Sequence, residues 1–173
     1  MKNILAISGS IRQNSSNHVV LQYIGEKFCN EIDMELYQGI DQLPHFNPDY
    51  DKEPSAEVVE FRKKIESADG IIICTPEYVF SLPGSLKNAI EWLVSTTALS
   101  GKPVALIVAA ASGHKALESL DLIMTTLEAN IPADCKLLIQ GVKGKINSEG
   151  QLNDVDTKNK IEHNMKSFLS SLS

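Results

Sequence analysis

The sequence lacks the features that define several large classes of protein. No segment approaches the ~20 consecutive apolar residues of a membrane-spanning helix, and the apolar run at the N-terminus is too short for a signal peptide. The three cysteines form no C-x-x-C pair, and their odd number argues against a disulfide framework or a zinc site. We therefore expect a cytoplasmic protein with no membrane segment, whose cysteines are reduced and buried.

Positive charge and metal-binding patterns are also scarce. The chain has 16 Lys and Arg against 22 Asp and Glu, a formal net charge of −6. Such a surface repels phosphate backbones, which argues against nucleic acid as a partner. The four histidines show no metal-ligand spacing, so we expect no metal site. With 173 residues, 43% of them hydrophobic, the chain is predicted to be a single globular domain over residues 1–173.

Apolar runs alternate with helical patterns along the chain. Residues 4–7, 71–74 and 104–111 are continuous apolar runs typical of buried strands, and residues 34–36 and 136–139 are weaker strand candidates. Apolar residues at helical spacing predict helices after each strand, over residues 17–28, 55–68, 83–95, 117–127 and 161–172. Continuous apolar strands must be covered on both faces. The pattern therefore predicts an α/β fold with a parallel sheet between two helical layers.

The helix boundaries are predicted from residue chemistry. Asn17 and Ser55 are candidate N-caps for the first two helices, and Pro83 suits the first turn of the third. Val94 falls on the inward side of that third helix. Pro132 is predicted to stop the fourth helix.

The loop after the first strand is rich in hydroxyl groups. It runs from Ser8 to Asn17 and ends where a helix begins, a position that favours a bound phosphate. Arg12 adds a cation. The loop matches neither the P-loop nor the dinucleotide-binding glycine pattern, so a mononucleotide phosphate is the better candidate. A simple capped turn between strand and helix remains the alternative.

The loop after the third strand is the most distinctive stretch of the chain. Residues 76–92 read PEYVFSLPGSLKNAIEW, with two prolines, and with the aromatic residues Tyr78 and Phe80 close to a strand end. Ligands of parallel sheets bind at the carboxyl ends of the strands. Tyr78 and Phe80 are therefore predicted to form walls for a flat ligand, the alternative being that they fill the core.

This stretch resembles the P-E-Y-N-x-S-x-P-G-x-L-K-N-A-I-D-W signature of the NADPH-dependent FMN reductase family, which includes quinone, chromate and azo-dye reductases. The first loop is similar to the family's G-S-[LI]-R-x-x-S-x-N loop. The resemblance implies a flavodoxin-like three-layer sandwich whose five parallel strands lie in the order 2-1-3-4-5. One departure is Val79, where the family often has Asn.

The resemblance also implies a cofactor and its contacts. Bound FMN would carry the chemistry at flavin N5, so no side chain is expected to be catalytic. Residues implied at the FMN phosphate are Ser10, Arg12, Ser15, Ser16 and Asn17. Residues implied along one side of the ring are Pro76, Glu77, Tyr78, Val79 and Phe80. Residues implied at the other edge are Ser112, Gly113 and His114.

The implied activity is electron transfer from NADPH or NADH through FMN to a flavin, quinone or similar small acceptor. The resemblance further implies a homodimer or homotetramer with the flavin near the subunit interface. Two other readings stay open: a non-enzymatic FMN electron carrier of the flavodoxin type, and a module that binds no flavin. Arg12 and the 76–92 signature favour the reductase.

Overall fold

A computed structural model describes residues 1–12 and 14–172 of the chain, and five parallel strands form its centre. Gln13 of the predicted phosphate loop and the last residue of the predicted domain lie outside the described residues. The strands are β1 (Lys2–Ser8), β2 (Ile32–Tyr37), β3 (Gly70–Thr75), β4 (Val104–Ala110) and β5 (Lys136–Gln140). Their order in the sheet is β2-β1-β3-β4-β5, which confirms the predicted topology.

Helices cover both faces of this sheet, because the central strands are apolar on both sides. They are α1 (Ser16–Lys27), α2 (Ala56–Ser67), α3 (Gly84–Glu91), α4 (His114–Thr126) and α5 (Val155–Ser170). One core contains Phe61 of α2, Leu86 of α3 and Leu120 of α4. The other contains Val20 of α1 and Ile161 of α5. The predicted three-layer arrangement is confirmed.

Several predicted boundaries are wrong by a few residues. Ser15 caps α1 instead of Asn17: its Oγ accepts a hydrogen bond from the backbone N–H of His18 at 3.3 Å. Helix α3 ends at Glu91 and continues only as turns, so Val94 is 59% exposed and does not point inward. Helix α4 ends at Thr126, well before Pro132. It cannot continue, because Glu128 has a φ of 59°, which is incompatible with an α-helix.

The cysteines are free, but only two of the three are buried. Cys74 and Cys135 lie in the core, whereas Cys29 is exposed just after α1. The prediction of burial is therefore wrong for Cys29, which follows the end of the helix where the chain turns towards β2.

The long irregular connection over residues 38–54 is packed against α3. The indole Nε1 of Trp92 donates to the carbonyl of Pro44 at 2.8 Å, and the Asn88 Oδ1 accepts from the backbone N–H of Phe46 at 2.8 Å. These bonds satisfy buried polar groups on both sides. They fix the connection to the helix that follows the distinctive 76–83 loop.

Candidate functional site

A cavity of about 420 Å³ lies at the carboxyl ends of β1, β3, β4 and β5. The site residues predicted from sequence that line it are Ser10, Arg12, Ser15, Ser16, Asn17, Pro76, Glu77 and Tyr78. The structure thus brings the first loop and the distinctive third loop to one cavity. Because β1 and β3 are neighbours in the sheet, their carboxyl ends emerge side by side.

The first loop is held tightly against β3. The backbone N–H of Gly9 donates to the carbonyl of Cys74 at 2.8 Å. A Cβ atom at Gly9 would lie 2.1 Å from Thr75 Oγ1, so only glycine allows this approach. The Oγ of Ser8 accepts from the N–H of Ser10, whose own Oγ accepts from the N–H of Arg12 at 3.3 Å. These hydrogen bonds fix the backbone of the loop between Ser8 and Arg12.

Asn17 joins the same loop to β3 from inside the protein. Its Oδ1 accepts a hydrogen bond from the thiol of Cys74 at 3.3 Å, and both residues are buried. Burial raises the pKa of Cys74 far above the usual range of a thiol. Cys74 therefore stays protonated and serves as a hydrogen-bond donor, not as a nucleophile.

The third loop contains a tight turn at residues 78–81. The backbone N–H groups of Tyr78 and Ser81 each donate to the carbonyl of the other at 3.0 Å. Between them Val79 and Phe80 have φ values of 50° and 56°, the positive pair expected of a type I′ turn. Val79 is 94% exposed and Phe80 is 77% exposed, so the core-filling alternative for Phe80 is wrong. Tyr78 lines the cavity, whereas Val79 and Phe80 lie outside its lining.

Glu77 ties the third loop to the start of α4. Its carboxylate accepts hydrogen bonds from the backbone N–H groups of Gly113, Lys115 and Ala116 at 3.1, 3.0 and 3.1 Å. Gly113, the N-cap of α4, has a φ of 95° and no side chain with which to cap the helix. A Cβ there would lie 2.6 Å from Leu138 Cδ1, so the cap must come from elsewhere. Glu77 supplies it.

This contact also sets the charge of Glu77. Burial alone would raise the pKa of its carboxyl, but the three backbone donors and nearby His114 outweigh that effect, and the pKa is lowered. Glu77 is therefore ionised at neutral pH, with its charge directed at the N-terminus of a helix, where a negative charge is stabilised.

Residues 112–114, which the sequence predicts at the other edge of the ring, do not line this cavity. Ala109, Ala110 and Ala111 line the cavity, whereas Ser112, Gly113 and His114 do not. His114 instead meets the side chain of Gln140 at the end of β5, with 3.2 Å between the two nitrogen atoms. Gly113 is the N-cap of α4 and has a positive φ.

Sequence reasoning missed the wall that follows β5. Gly141, Val142, Lys143 and Gly144 line the cavity opposite the first loop. The signal was present in the sequence: a lysine between two glycines, directly after a predicted strand. Because β5 lies beside β4, the residues after it reach the same edge of the sheet.

The cavity is cationic at one end and apolar at the other. Arg12 and Lys143 contribute positive charge, and neither forms an ion pair with any residue in ranges 1–12 and 14–172. Tyr78, the alanines at the end of β4 and Val142 form apolar walls. This combination suits a flat ring system that carries a phosphate. Within the described part of the chain, no group of three or more His, Cys, Asp or Glu could hold a metal ion.

No helix in the described ranges has the length and hydropathy needed to cross a membrane.

The walls of the cavity come from four loops at one edge of the sheet, so its shape depends on the fold itself. Any ligand of this cavity therefore contacts residues that are far apart in the sequence.

Comparison with known proteins gives a consistent picture. Residues 2–143 match the family model described as NADPH-dependent FMN reductase. The chain is 34% identical over 174 residues to a subunit of the NADH:(hydroxy)cinnamate reductase of Vibrio ruber, covering 96% of this chain and 85% of that protein. It is 29% identical to an NAD(P)H-dependent FMN reductase of Pseudomonas aeruginosa, covering 95% of this chain and 92% of the relative.

A solved structure has the same fold. FerB, a flavoenzyme NAD(P)H:(acceptor) oxidoreductase from Paracoccus denitrificans, superposes with a TM-score of 0.88 at 24% identity. The match covers 99% of this chain and 97% of FerB. The likeness extends over all three layers of the sandwich.

Proposed function

The chain belongs to the NADPH-dependent FMN reductase family, and from this membership we propose that the cavity described above binds FMN and that electrons pass from NADPH or NADH through it to a flavin, a quinone or a similar small acceptor. The chain is an oxidoreductase, as its relatives are. We propose as well that residues 1–173 form a single domain. When bound, FMN supplies the hydride and electron chemistry.

The residues present fit this cofactor. The cavity of about 420 Å³ falls within the range of small-molecule sites, roughly 300–1,000 Å³. Ser10, Ser15 and Ser16 would hold the phosphate together with Arg12, since hydroxyl and guanidinium groups are its usual donors. Pro76, Tyr78 and the alanines at the end of β4 would enclose the ring. Lys143 would add a second cation.

One observation carries the proposal: Arg12 and Tyr78 line the same cavity, although they belong to different loops. A phosphate-binding loop without an adjoining apolar wall would fit many anions. An apolar slot without the cations would fit many flat molecules. Their combination at one cavity favours a phosphorylated ring system.

Titration of FMN into the cofactor-free protein tests the proposal. Loss of Arg12 removes a charge-assisted interaction of about 1.5–3 kcal/mol, so Arg12→Ala should raise the Kd for FMN about 10- to 100-fold. Lys63→Ala is the control, because Lys63 is an exposed lysine of α2, far from the cavity lining. The visible spectrum and flavin fluorescence report binding. Wild-type protein that leaves the FMN spectrum unchanged would rule out the proposal.

Turnover separates the reductase from an electron carrier of the flavodoxin type. The FMN-loaded protein should oxidise NADPH or NADH repeatedly when a quinone is present. We propose that nicotinamide and acceptor occupy the same place in turn, which predicts parallel lines in initial-rate plots. Intersecting lines would show that both are bound at once, and no turnover with either nucleotide would favour the carrier.

We further propose a homodimer, or a homotetramer built from it, in the cytoplasm. The exposed apolar side chains of Val79 and Phe80, next to the cavity, support an interface there. The molecular mass in solution tests this proposal. A wild-type protein with the mass of one chain would contradict it, and Phe80→Ser should weaken association in the expected oligomer.

A further inference from the structure

A second, larger cavity adjoins the first. Its volume is about 770 Å³, and it lies between the N-terminal half of α1 and the segment of residues 143–150. Four residues line both cavities: Arg12, Ser15, Ser16 and Lys143. The two cavities therefore meet at the loop that the proposed function assigns to the FMN phosphate.

The walls of this larger cavity carry the groups that a nucleotide requires. Arg12 and Lys143 approach the junction from different loops, and both lack an ion-pair partner among residues 1–12 and 14–172. Glu149 contributes a carboxylate, which accepts hydrogen bonds and suits ribose hydroxyl groups. Val19 and Ile146 contribute apolar surface suited to a base.

The outer wall is an ordered element. Asn147 Oδ1 accepts hydrogen bonds from the backbone N–H groups of Glu149 and Gln151 at 3.0 and 2.8 Å. An antiparallel bridge joins Ile146 to Leu152 on either side of this turn. The carboxylate of Glu149 is therefore carried on a hydrogen-bonded turn that faces α1 across the cavity.

We propose that the larger cavity holds the adenosine monophosphate half of FAD, so that the chain takes the dinucleotide flavin as well as FMN. This proposal rests on the proposed function, because the flavin half would occupy the smaller cavity. The junction falls at the phosphate end of that site, and in FAD the adenylate is joined to the same phosphate. A pyrophosphate there would meet Arg12 on one side and Lys143 on the other.

Binding of the two flavins to cofactor-free protein tests the proposal. Wild-type protein should bind FAD with a Kd within about tenfold of the Kd for FMN. Gln22→Trp places a large ring on an exposed position of α1 that lines only the larger cavity. This variant should raise the Kd for FAD by about tenfold or more and leave the Kd for FMN unchanged. Unaltered FMN binding also shows that the variant is folded.

Two further variants locate the effect. Lys63→Trp, on the exposed surface of α2 and outside both cavities, is the control and should bind both flavins as the wild type does. Glu149→Gln keeps the size of the side chain but weakens its acceptor strength. It should raise the Kd for FAD several-fold, about 3- to 10-fold, without changing the Kd for FMN.

The outcomes distinguish this inference from the function on which it rests. If neither flavin binds, both proposals fail. If FMN binds and FAD binds about 100-fold more weakly or worse, only the inference fails. It also fails if Gln22→Trp binds FAD as the wild type does, because the adenylate then lies elsewhere. Free AMP that binds the FMN-loaded protein, when FAD does not bind the cofactor-free protein, would assign the cavity to a separate nucleotide.

Discussion

Val79 holds a backbone conformation that its side chain disfavours. A β-branched residue with positive φ is strained, whereas Asn tolerates this region far better. Val79→Asn should therefore raise the free energy of unfolding by about 1 kcal/mol. Denaturant unfolding measures the change, on cofactor-free protein so that ligand binding does not contribute.

Val94 provides the matched control for that substitution. It is also an exposed valine, but it does not have positive φ. Val94→Asn should leave stability within about 0.5 kcal/mol of the wild type, as surface substitutions usually do. If both variants shift stability equally, the turn at residues 78–81 carries no strain.

Glu77 gives stability that depends on pH. Its pKa is lowered in the folded state below the usual value of a glutamate, so the ionised carboxylate stabilises the fold at pH values above that usual value. The contribution is lost as the pH falls through the lowered pKa, because the folded state must then take up the proton. Glu77→Gln should cost about 1 kcal/mol at neutral pH, the usual cost of losing an N-cap. The difference from the wild type should disappear in acid.

Denaturant unfolding at several pH values measures this difference. Glu118→Gln is the control, since Glu118 is a solvent-exposed carboxylate of the same helix whose ion pair with Lys115 lies at the surface. It should change stability little at any pH. A Glu77→Gln variant as stable as the wild type at neutral pH would show that α4 needs no cap from the third loop.

The C-terminus of helix α2 has a comparable contact, made by a side chain that precedes β4. The ammonium group of Lys102 donates to the carbonyls of Ile65, Glu66 and Ala68 at 2.8, 2.9 and 2.6 Å. A cation suits the C-terminus of a helix, where carbonyls lack partners. Burial lowers the pKa of Lys102, in opposition to nearby Asp69 and Glu66.

Lys102→Met should therefore destabilise the protein by about 1–3 kcal/mol, because three charge-assisted hydrogen bonds to carbonyls at the end of α2 are lost. Amide hydrogen exchange in the last turn of α2 should become faster, since that turn loses its anchor. Lys63→Met, an exposed lysine on the same helix, is the control. Unchanged exchange in the last turn of α2 would contradict the capping role.

The central strands followed from the sequence because burial on both faces leaves a direct signal, a continuous apolar run, whereas their order followed from the resemblance to the reductase family. Helix ends followed less well, since they depend on single hydrogen bonds: Ser15 and Asn17 are both good caps, and only one of them is placed to accept from the His18 N–H. The wall at Lys143 was missed because it forms only when β5 takes its place in the sheet.

The feature of the site that the sequence pattern reveals least is the set of hydrogen bonds between Glu77 and the start of α4. A motif places Glu77 near a ligand, but the carboxylate is directed at a helix that begins far along the chain. What decides this is Gly113, whose positive φ and crowded Cβ position exclude an ordinary cap. Only the folded arrangement reveals that need.

Stability of the folded chain should increase when FMN binds, because the ligand selects the folded state. Free FMN at about 100 times its Kd should raise the free energy of unfolding by about 2.7 kcal/mol. For a chain of this length the melting temperature should then rise by roughly 5–10 °C. Thermal unfolding followed by circular dichroism measures the shift.

Riboflavin is the matched ligand for this experiment, as it keeps the ring system but lacks the phosphate. At the same concentration it should give a clearly smaller rise in melting temperature, and Arg12→Ala should reduce the rise produced by FMN. Equal shifts with both ligands would show that the Arg12 loop makes no use of a phosphate.

The shared cap has a consequence for anyone who redesigns this protein to accept new molecules. Replacing residues 76–81 with a segment that has no acid at position 77 would remove the carboxylate that starts α4, and replacing residues 111–116 with a segment of different backbone shape would move its three N–H donors out of reach. The two stretches form one structural unit, although they are separated in the sequence. Chimeras that keep an acid at position 77 together with the backbone shape of residues 111–116 should fold, whereas those that lose either should be recovered in lower yield.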